Sequence, residues 1–91
     1  MSDQIPPSVA LARDAIIARW SLNRTFERAW EVRDLINIYE GLHGLFGNSP
    51  ETERDWLDEP RDTLAGETPR QWIESGLLGS VRQMVWRLCQ R

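Results

Sequence analysis

Apolar residues recur at spacings of three and four throughout the segment 26–46. This period matches the 3.6 residues of an α-helical turn, so the segment predicts one long amphipathic helix. Gly47 and Asn48 follow directly, and both residue types are common where a helix ends. The rest of the chain must therefore fold around a helix of this length. The predicted apolar stripe consists of Phe26, Ala29, Trp30, Val32, Leu35, Ile36, Tyr39, Leu42 and Phe46.

Shorter helices are predicted on both sides of the long one. Pro7, Ser49 with Pro50, and Thr68 with Gln71 all carry helix-start signals, and the last pair is spaced as a capping box. No segment alternates apolar and polar residues for long enough to predict a strand. Because 91 residues fit one domain, the prediction is an all-α fold, a small single-domain bundle of about five helices. The shorter predicted helices cover residues 9–20, 49–57, 68–74 and 77–88.

The net charge and the number of cysteines limit the classes of protein to which the chain can belong. The net charge of −3 and the pI of about 5.1 provide no basic face for nucleic acid. The single Cys89 excludes an internal disulfide and fits a reducing compartment. No signal peptide pattern opens the chain, and its apolar runs are too short to cross a membrane. We therefore expect a cytoplasmic protein without membrane contact.

The residues capable of chemistry do not form a recognisable active site. His43 is the only histidine, and no second group is spaced to support acid–base or metal chemistry, which favours a half-exposed helix residue. Cys89 lies outside any Cys-Cys or Cys-His pattern, which favours a small apolar or surface residue over a reactive thiol. We predict a protein that is not an enzyme, with no catalytic, cofactor or metal site.

An acidic cluster marks the loop between the third and fourth predicted helices. Its carboxylates could attract a hard cation, but the spacing of a calcium-binding loop is missing and arginines are interleaved. The pattern therefore favours a solvated rim of salt bridges. The cluster consists of Asp55, Asp58, Glu59 and Asp62.

Five tryptophans are many for so short a chain. We expect most of them in the core, where each can bury a large apolar area. Trp86 differs, because helical geometry places it away from the apolar line of the last helix. Arg82 precedes it by one turn and Gln90 follows by one turn, so we expect Trp86 at an interface with a partner. The predicted apolar line consists of Leu77, Val81, Met84, Val85 and Leu88.

Residues 32–91 carry a series of short motifs in a recognisable order. They resemble the toxin-binding C-terminal domain of the Xre/MbcA/ParS-type antitoxins. Two positions of the family's loop differ: Arg61 stands where the family has asparagine, and Ala65 where it has the first of two glycines. The matching motifs are LFGN at 45–48, WL at 56–57, Pro60, Leu64, Gly66, TP at 68–69, Val81, Val85 and RL at 87–88.

The resemblance implies an antitoxin of a bacterial type II toxin–antitoxin system, which binds and neutralises a cognate toxin. The usual partner is a RES-domain enzyme that depletes NAD, and the C-terminal end of the antitoxin lies at or near the entrance of the toxin's active site. Arg87, Gln90 and Arg91 are then the residues expected to reach the partner, together with Arg82 and Trp86. A guanidinium suits a pocket that binds carboxylate or phosphate.

The resemblance also bears on domains and assembly. Residues 1–31 form an N-terminal extension and first helix, too short for the family's full helix-turn-helix region, which argues against DNA binding. We expect a homodimer, since the family commonly dimerises and Ile38 and Leu45 lie outside the main stripe. Two alternatives stay open: a stand-alone regulator or adaptor from a phage or mobile element that binds another protein, and a reduced transcriptional repressor.

Overall fold

The computed structural model describes residues 5–47 and 49–90, and within them it contains five α-helices, one 3₁₀ turn and no strand. The predicted all-α fold is confirmed. None of the described helices is both long enough and apolar enough to span a bilayer. The helices are α1 (Pro7–Trp20), α2 (Ala29–Phe46), α3 (Pro50–Leu57), α4 (Pro69–Glu74) and α5 (Leu78–Cys89), and the 3₁₀ turn covers Asp62–Leu64.

The helix that dominates the sequence begins later than its apolar spacing predicts. α2 starts at Ala29, because Arg28 is still extended with ψ 139°. Phe26 lies in the connector before it, where its side chain is fully buried and its carbonyl accepts a hydrogen bond from Arg13 Nη1 at 2.9 Å. The prediction of a helix from residue 26 is therefore wrong by three residues. A buried connector replaces the first turn.

The starts of α3 and α4 follow the predicted capping chemistry. The Ser49 hydroxyl accepts the backbone N–H of Thr52 at 3.3 Å. The Thr68 hydroxyl accepts the N–H of Gln71, and the Gln71 side chain accepts the N–H of Thr68 at 2.8 Å, which completes the capping box. These bonds satisfy backbone donors that a helix leaves free in its first turn.

The loop between α3 and α4 is shaped by two successive left-handed residues. Ala65 has φ 56° and Gly66 has φ 81°, a conformation that glycine adopts far more readily than alanine. Leu64, the residue before them, is 3% exposed and fixes the loop on the body of the protein. The backbone N–H of Gly66 closes the loop by donating to the Arg61 carbonyl at 2.9 Å.

The core is one cluster, and it includes side chains from both predicted segments, residues 1–31 and residues 32–91. α2 lies at its centre and packs against α1, α3 and α5. The approach of α5 is close, because a Cβ placed on Gly41 would overlap Cγ1 of Val85. Ile38 is fully buried in this core, so its predicted place in a dimer contact is wrong. The fully buried apolar side chains of the core are Trp20, Phe26, Val32, Leu35, Ile38, Leu42, Leu57, Ile73, Leu78, Val81 and Val85.

Candidate partner-binding surface

The residues predicted to bind a partner lie on two different faces of α5. Arg82 and Trp86 lie one turn apart on α5, and Gln90 is the C-cap residue that follows the last turn of the helix. Arg87 points about 100° away from Trp86, which places it on the opposite flank of the exposed side. The prediction for Arg91 lies outside the described residues. The structure therefore joins Arg82 with Trp86 and separates both from Arg87.

Arg82 connects α5 to α2 by an ion pair. Its Nε lies 3.1 Å from Oδ1 of Asp34, and the two side chains are 37% and 19% exposed. Trp86 follows Arg82 by one turn of α5 and is 39% exposed, while Trp30 precedes Asp34 by one turn of α2 and is 44% exposed. Two half-exposed tryptophans therefore flank an ion pair that joins their helices. We call these four residues the tryptophan surface.

Trp30 and Asp34 are missing from the sequence prediction of this surface, which places Trp30 in the buried stripe of α2. The error has a geometric cause: the buried face of α2 is centred on Leu35, Ile38 and Leu42, and Trp30 lies to one side of it. A signal was present, because Trp30 and Asp34 are four residues apart and share a helix face.

Arg87 lines a separate groove of about 210 Å³ between α5, α4 and the 3₁₀ turn. The floor is apolar, with Leu64, Trp72 and Met84, whereas polar side chains including Gln83 surround it. The Trp72 indole N–H donates to Oε1 of Glu67 at 2.9 Å, so its polar atom is satisfied inside the protein. We call this the Arg87 groove, a shallow site with one cation at its edge.

Two residues of the predicted apolar line of α5 are not covered by the core. Leu77 is 51% exposed and Leu88 is 38% exposed, whereas Val81 and Val85 are fully buried. The line is therefore correct only at its centre. Leu45, near the end of α2, is 37% exposed. Trp86 and Leu88 are two residues apart, so the end of α5 exposes apolar area on two nearly opposite sides.

The charged residue with the most buried environment lies on the other side of α2. The carboxylate of Glu53 is fully buried and accepts hydrogen bonds from Arg19 Nε at 2.7 Å, Arg19 Nη2 at 3.0 Å and the Trp20 indole at 2.9 Å. Burial raises the pKa of this carboxyl group, but the bonds from Arg19 and Trp20 outweigh burial and hold it below the ordinary value. The same bond raises the pKa of Arg19. We call these three residues the Glu53 cluster.

His43 lies beside this cluster and stacks on Tyr39, with 5.4 Å between ring centroids. Its side chain is 44% exposed, which confirms the predicted half-exposed residue. Its Nδ1 lies 3.9 Å from Oε2 of Glu53, a neighbour that sequence spacing did not reveal. Because the cluster encloses both oxygens of Glu53, the arrangement fits a structural anchor between α1, α2 and α3.

Two of the four residues of the acidic cluster form ion pairs with arginines, as predicted for this loop. Asp58 pairs with Arg70 Nε at 2.6 Å, and Glu59 lies 3.6 Å from Arg61 Nη2. Among residues 5–47 and 49–90, no three His, Cys, Asp or Glu side chains are grouped so that they could hold a metal ion. The loop is therefore a salt-bridged rim.

Comparison of the chain with protein-family models, with curated proteins and with solved structures gives no significant match.

Proposed function

We propose that the chain is an antitoxin-like protein that binds and neutralises a cognate toxin through α5 and the neighbouring face of α2. The observation that carries this proposal is the tryptophan surface. Trp30 and Trp86 stay half exposed around the ion pair of Asp34 and Arg82, and tryptophan and arginine dominate the binding energy of protein interfaces. The protein acts by binding and not by catalysis.

The Arg87 groove extends this binding surface on the other flank of α5. Arg87 is exposed beside an apolar floor and forms no ion pair with another described residue. A planar guanidinium in this position suits a carboxylate or a phosphate on the partner, because it can make two parallel hydrogen bonds to either group. We expect Gln90, which follows Trp86 by one turn, to contact the same partner.

The choice of a RES-domain toxin, an enzyme that depletes NAD, depends on the resemblance of residues 32–91 to the Xre/MbcA/ParS-type antitoxins. The shape of the loop supports it. Ala65 and Gly66 both have positive φ at the positions where the family carries two glycines, and glycine is the residue that favours this conformation. The proposal includes a cytoplasmic, bacterial setting and a homodimer.

The test is co-expression with the neighbouring gene, followed by affinity capture and by measurement of cell growth. We expect Trp86→Ala and Arg87→Glu each to raise the Kd of the complex by at least about tenfold, the scale of a hot-spot contact. Arg28→Glu provides the matched control, because it makes the same charge change at an exposed residue before α2. Unchanged capture and neutralisation with both α5 variants would overturn the proposal.

The same experiment distinguishes the antitoxin hypothesis from the two alternatives, an adaptor and a reduced repressor. If α5 variants abolish the capture of a different protein and the neighbouring gene product is not toxic, the chain is an adaptor with the same binding surface. A reduced repressor would instead shift its own promoter DNA in a gel, with an affinity that falls steeply as salt rises. The net charge of −3 argues against that result.

A further inference from the structure

α1 exposes a face that is unusually apolar for a surface helix. Its exposed residues include Leu11, Ala15 and Ala18, and Leu11 is 72% exposed, more than any other large hydrophobic residue described. The only polar side chains among the exposed residues of this helix are Ser8 and Asp14. The exposed face of a surface helix normally carries mostly polar side chains, so a face that exposes Leu11, Ala15 and Ala18 fits a contact that is buried in an assembly.

A groove runs beside this face, between α1 and α2. It consists of two adjoining depressions of about 350 Å³ and about 300 Å³ that share Ile36. Ala12 and Ala15 of α1 line one of them, and their small side chains leave room for another chain to approach. Arg33 borders the depression near the start of α2, and Glu40 borders the other.

Three charged residues line the groove, and one of them, Arg19, pairs with Glu53. The other two, Arg33 and Glu40, are placed symmetrically about Ile36. Arg33 precedes Ile36 by three residues and Glu40 follows it by four, so each lies roughly 5 Å along the helix axis from Ile36. Both are exposed, and neither forms an ion pair with another described residue. A two-fold axis near Ile36 would bring each Arg33 opposite the Glu40 of a second copy. The surface is therefore self-complementary, as a symmetric dimer contact requires.

We propose that this groove is the contact surface of a symmetric homodimer, in which two α2 helices run antiparallel and Leu11 of each copy packs on the other. The inference rests on the homodimer of the proposed function but not on the toxin. It leaves Trp86 and the Arg87 groove free, because no residue of α5 lines the proposed contact. The dimer could therefore bind one partner per copy.

Analytical ultracentrifugation of the full chain tests the surface. Arg33→Glu and Glu40→Arg change the net charge in opposite directions, yet each should raise the dimer Kd by at least about tenfold, because each places like charges opposite one another twice. The double variant Arg33→Glu, Glu40→Arg should restore the wild-type Kd. Arg28→Glu, outside the groove, should leave it unchanged.

Two outcomes would overturn the inference. A wild-type chain that stays monomeric at several hundred micromolar would remove the homodimer as well as this surface. A dimer that survives both single variants, or that the double variant fails to restore, would leave the homodimer standing and place its contact elsewhere. Circular dichroism of each variant shows whether it is folded, and Arg87→Glu, which acts on toxin binding, should dimerise normally.

Discussion

The Glu53 cluster and the tryptophan surface use the same kinds of residue for opposite purposes. Each pairs an arginine with an acid and includes tryptophan. In the Glu53 cluster the carboxylate and Trp20 are fully buried, and the Trp20 indole N–H has its partner inside the protein. In the tryptophan surface the ion pair of Asp34 and Arg82 is partly exposed, and both indoles face solvent over about two fifths of their area.

The two regions differ in whether their interactions are already complete in the folded chain. The Glu53 cluster has its charges paired and its tryptophan covered, so its interactions contribute to folding. The tryptophan surface has apolar area that only a further molecule can bury, at roughly 25 cal/mol per Å². Removal of a residue from the first should therefore reduce stability, whereas removal from the second should reduce binding and leave stability nearly unchanged.

The largest expected effect is that of Glu53→Gln. The substitution keeps the shape of the side chain but removes the negative charge that the guanidinium of Arg19 binds. Breaking one side of a buried ion pair costs about 3 kcal/mol or more, which corresponds to a fall in Tm of more than about 10 °C in a chain of this size. Urea unfolding and thermal unfolding, followed by circular dichroism, measure both quantities.

The matched control is Glu51→Gln, which removes an exposed acid from the first turn of the same helix. Its loss should stay within about 1 kcal/mol, the usual size of a charge–dipole interaction at a helix end. If the two variants lost the same stability, the Glu53 cluster would not be an anchor of the fold.

The pH dependence of stability provides a second test of the same cluster. Because the folded pKa of Glu53 lies below its ordinary value, its ionised form stabilises the fold at pH values above the unfolded pKa, about 4.3. This contribution should be lost as the pH falls through the folded pKa. We expect the stability difference between wild type and Glu53→Gln to shrink as the pH falls below about 4. A difference that grows with acid would contradict the assignment.

The substitution Gly41→Ala tests the contact that holds α5 against the core. A methyl group there would meet the fully buried Val85, and overpacking of this kind costs about 1–3 kcal/mol. Gly44→Ala is the control on the same helix, because no atom lies within 4 Å of its added Cβ. It should stabilise the protein by about 0.5–1 kcal/mol, since alanine is the better helix former. Equal effects in chemical denaturation would mean that α5 can move away freely.

Local sequence rules predict most of the helices correctly, because they depend on residues only a few positions apart. The proline and serine that start α3 and the capping box of α4 occupy the predicted positions. The rule fails at the start of α2, where a tertiary contact decides. The carbonyl of Phe26 is bonded to Arg13, thirteen residues earlier, and apolar spacing carries no information about such a bond.

The candidate surface is only partly predictable for a related reason. Helical projection places Trp86 correctly outside the buried line of α5. Helical projection cannot show which flank of a helix its neighbour covers. It therefore predicts that Trp30 is buried and that Ile38 is available for a dimer contact, and both predictions are wrong. Local sequence rules cannot predict the Glu53 cluster, because Arg19 and Glu53 are 34 residues apart in the sequence.

The smallest expected effect concerns the ion pair of Asp34 and Arg82. Both side chains are partly exposed, and ion pairs in such positions contribute no more than about 1 kcal/mol. In a double-mutant cycle with Asp34→Asn and Arg82→Gln, the coupling free energy for unfolding should stay below that value. If the proposed partner covers the tryptophan surface, the same variants should raise the Kd of that complex. A coupling of about 3 kcal/mol, similar to that expected within the Glu53 cluster, would show instead that the pair anchors α5 to α2 and that the two regions do not differ in role.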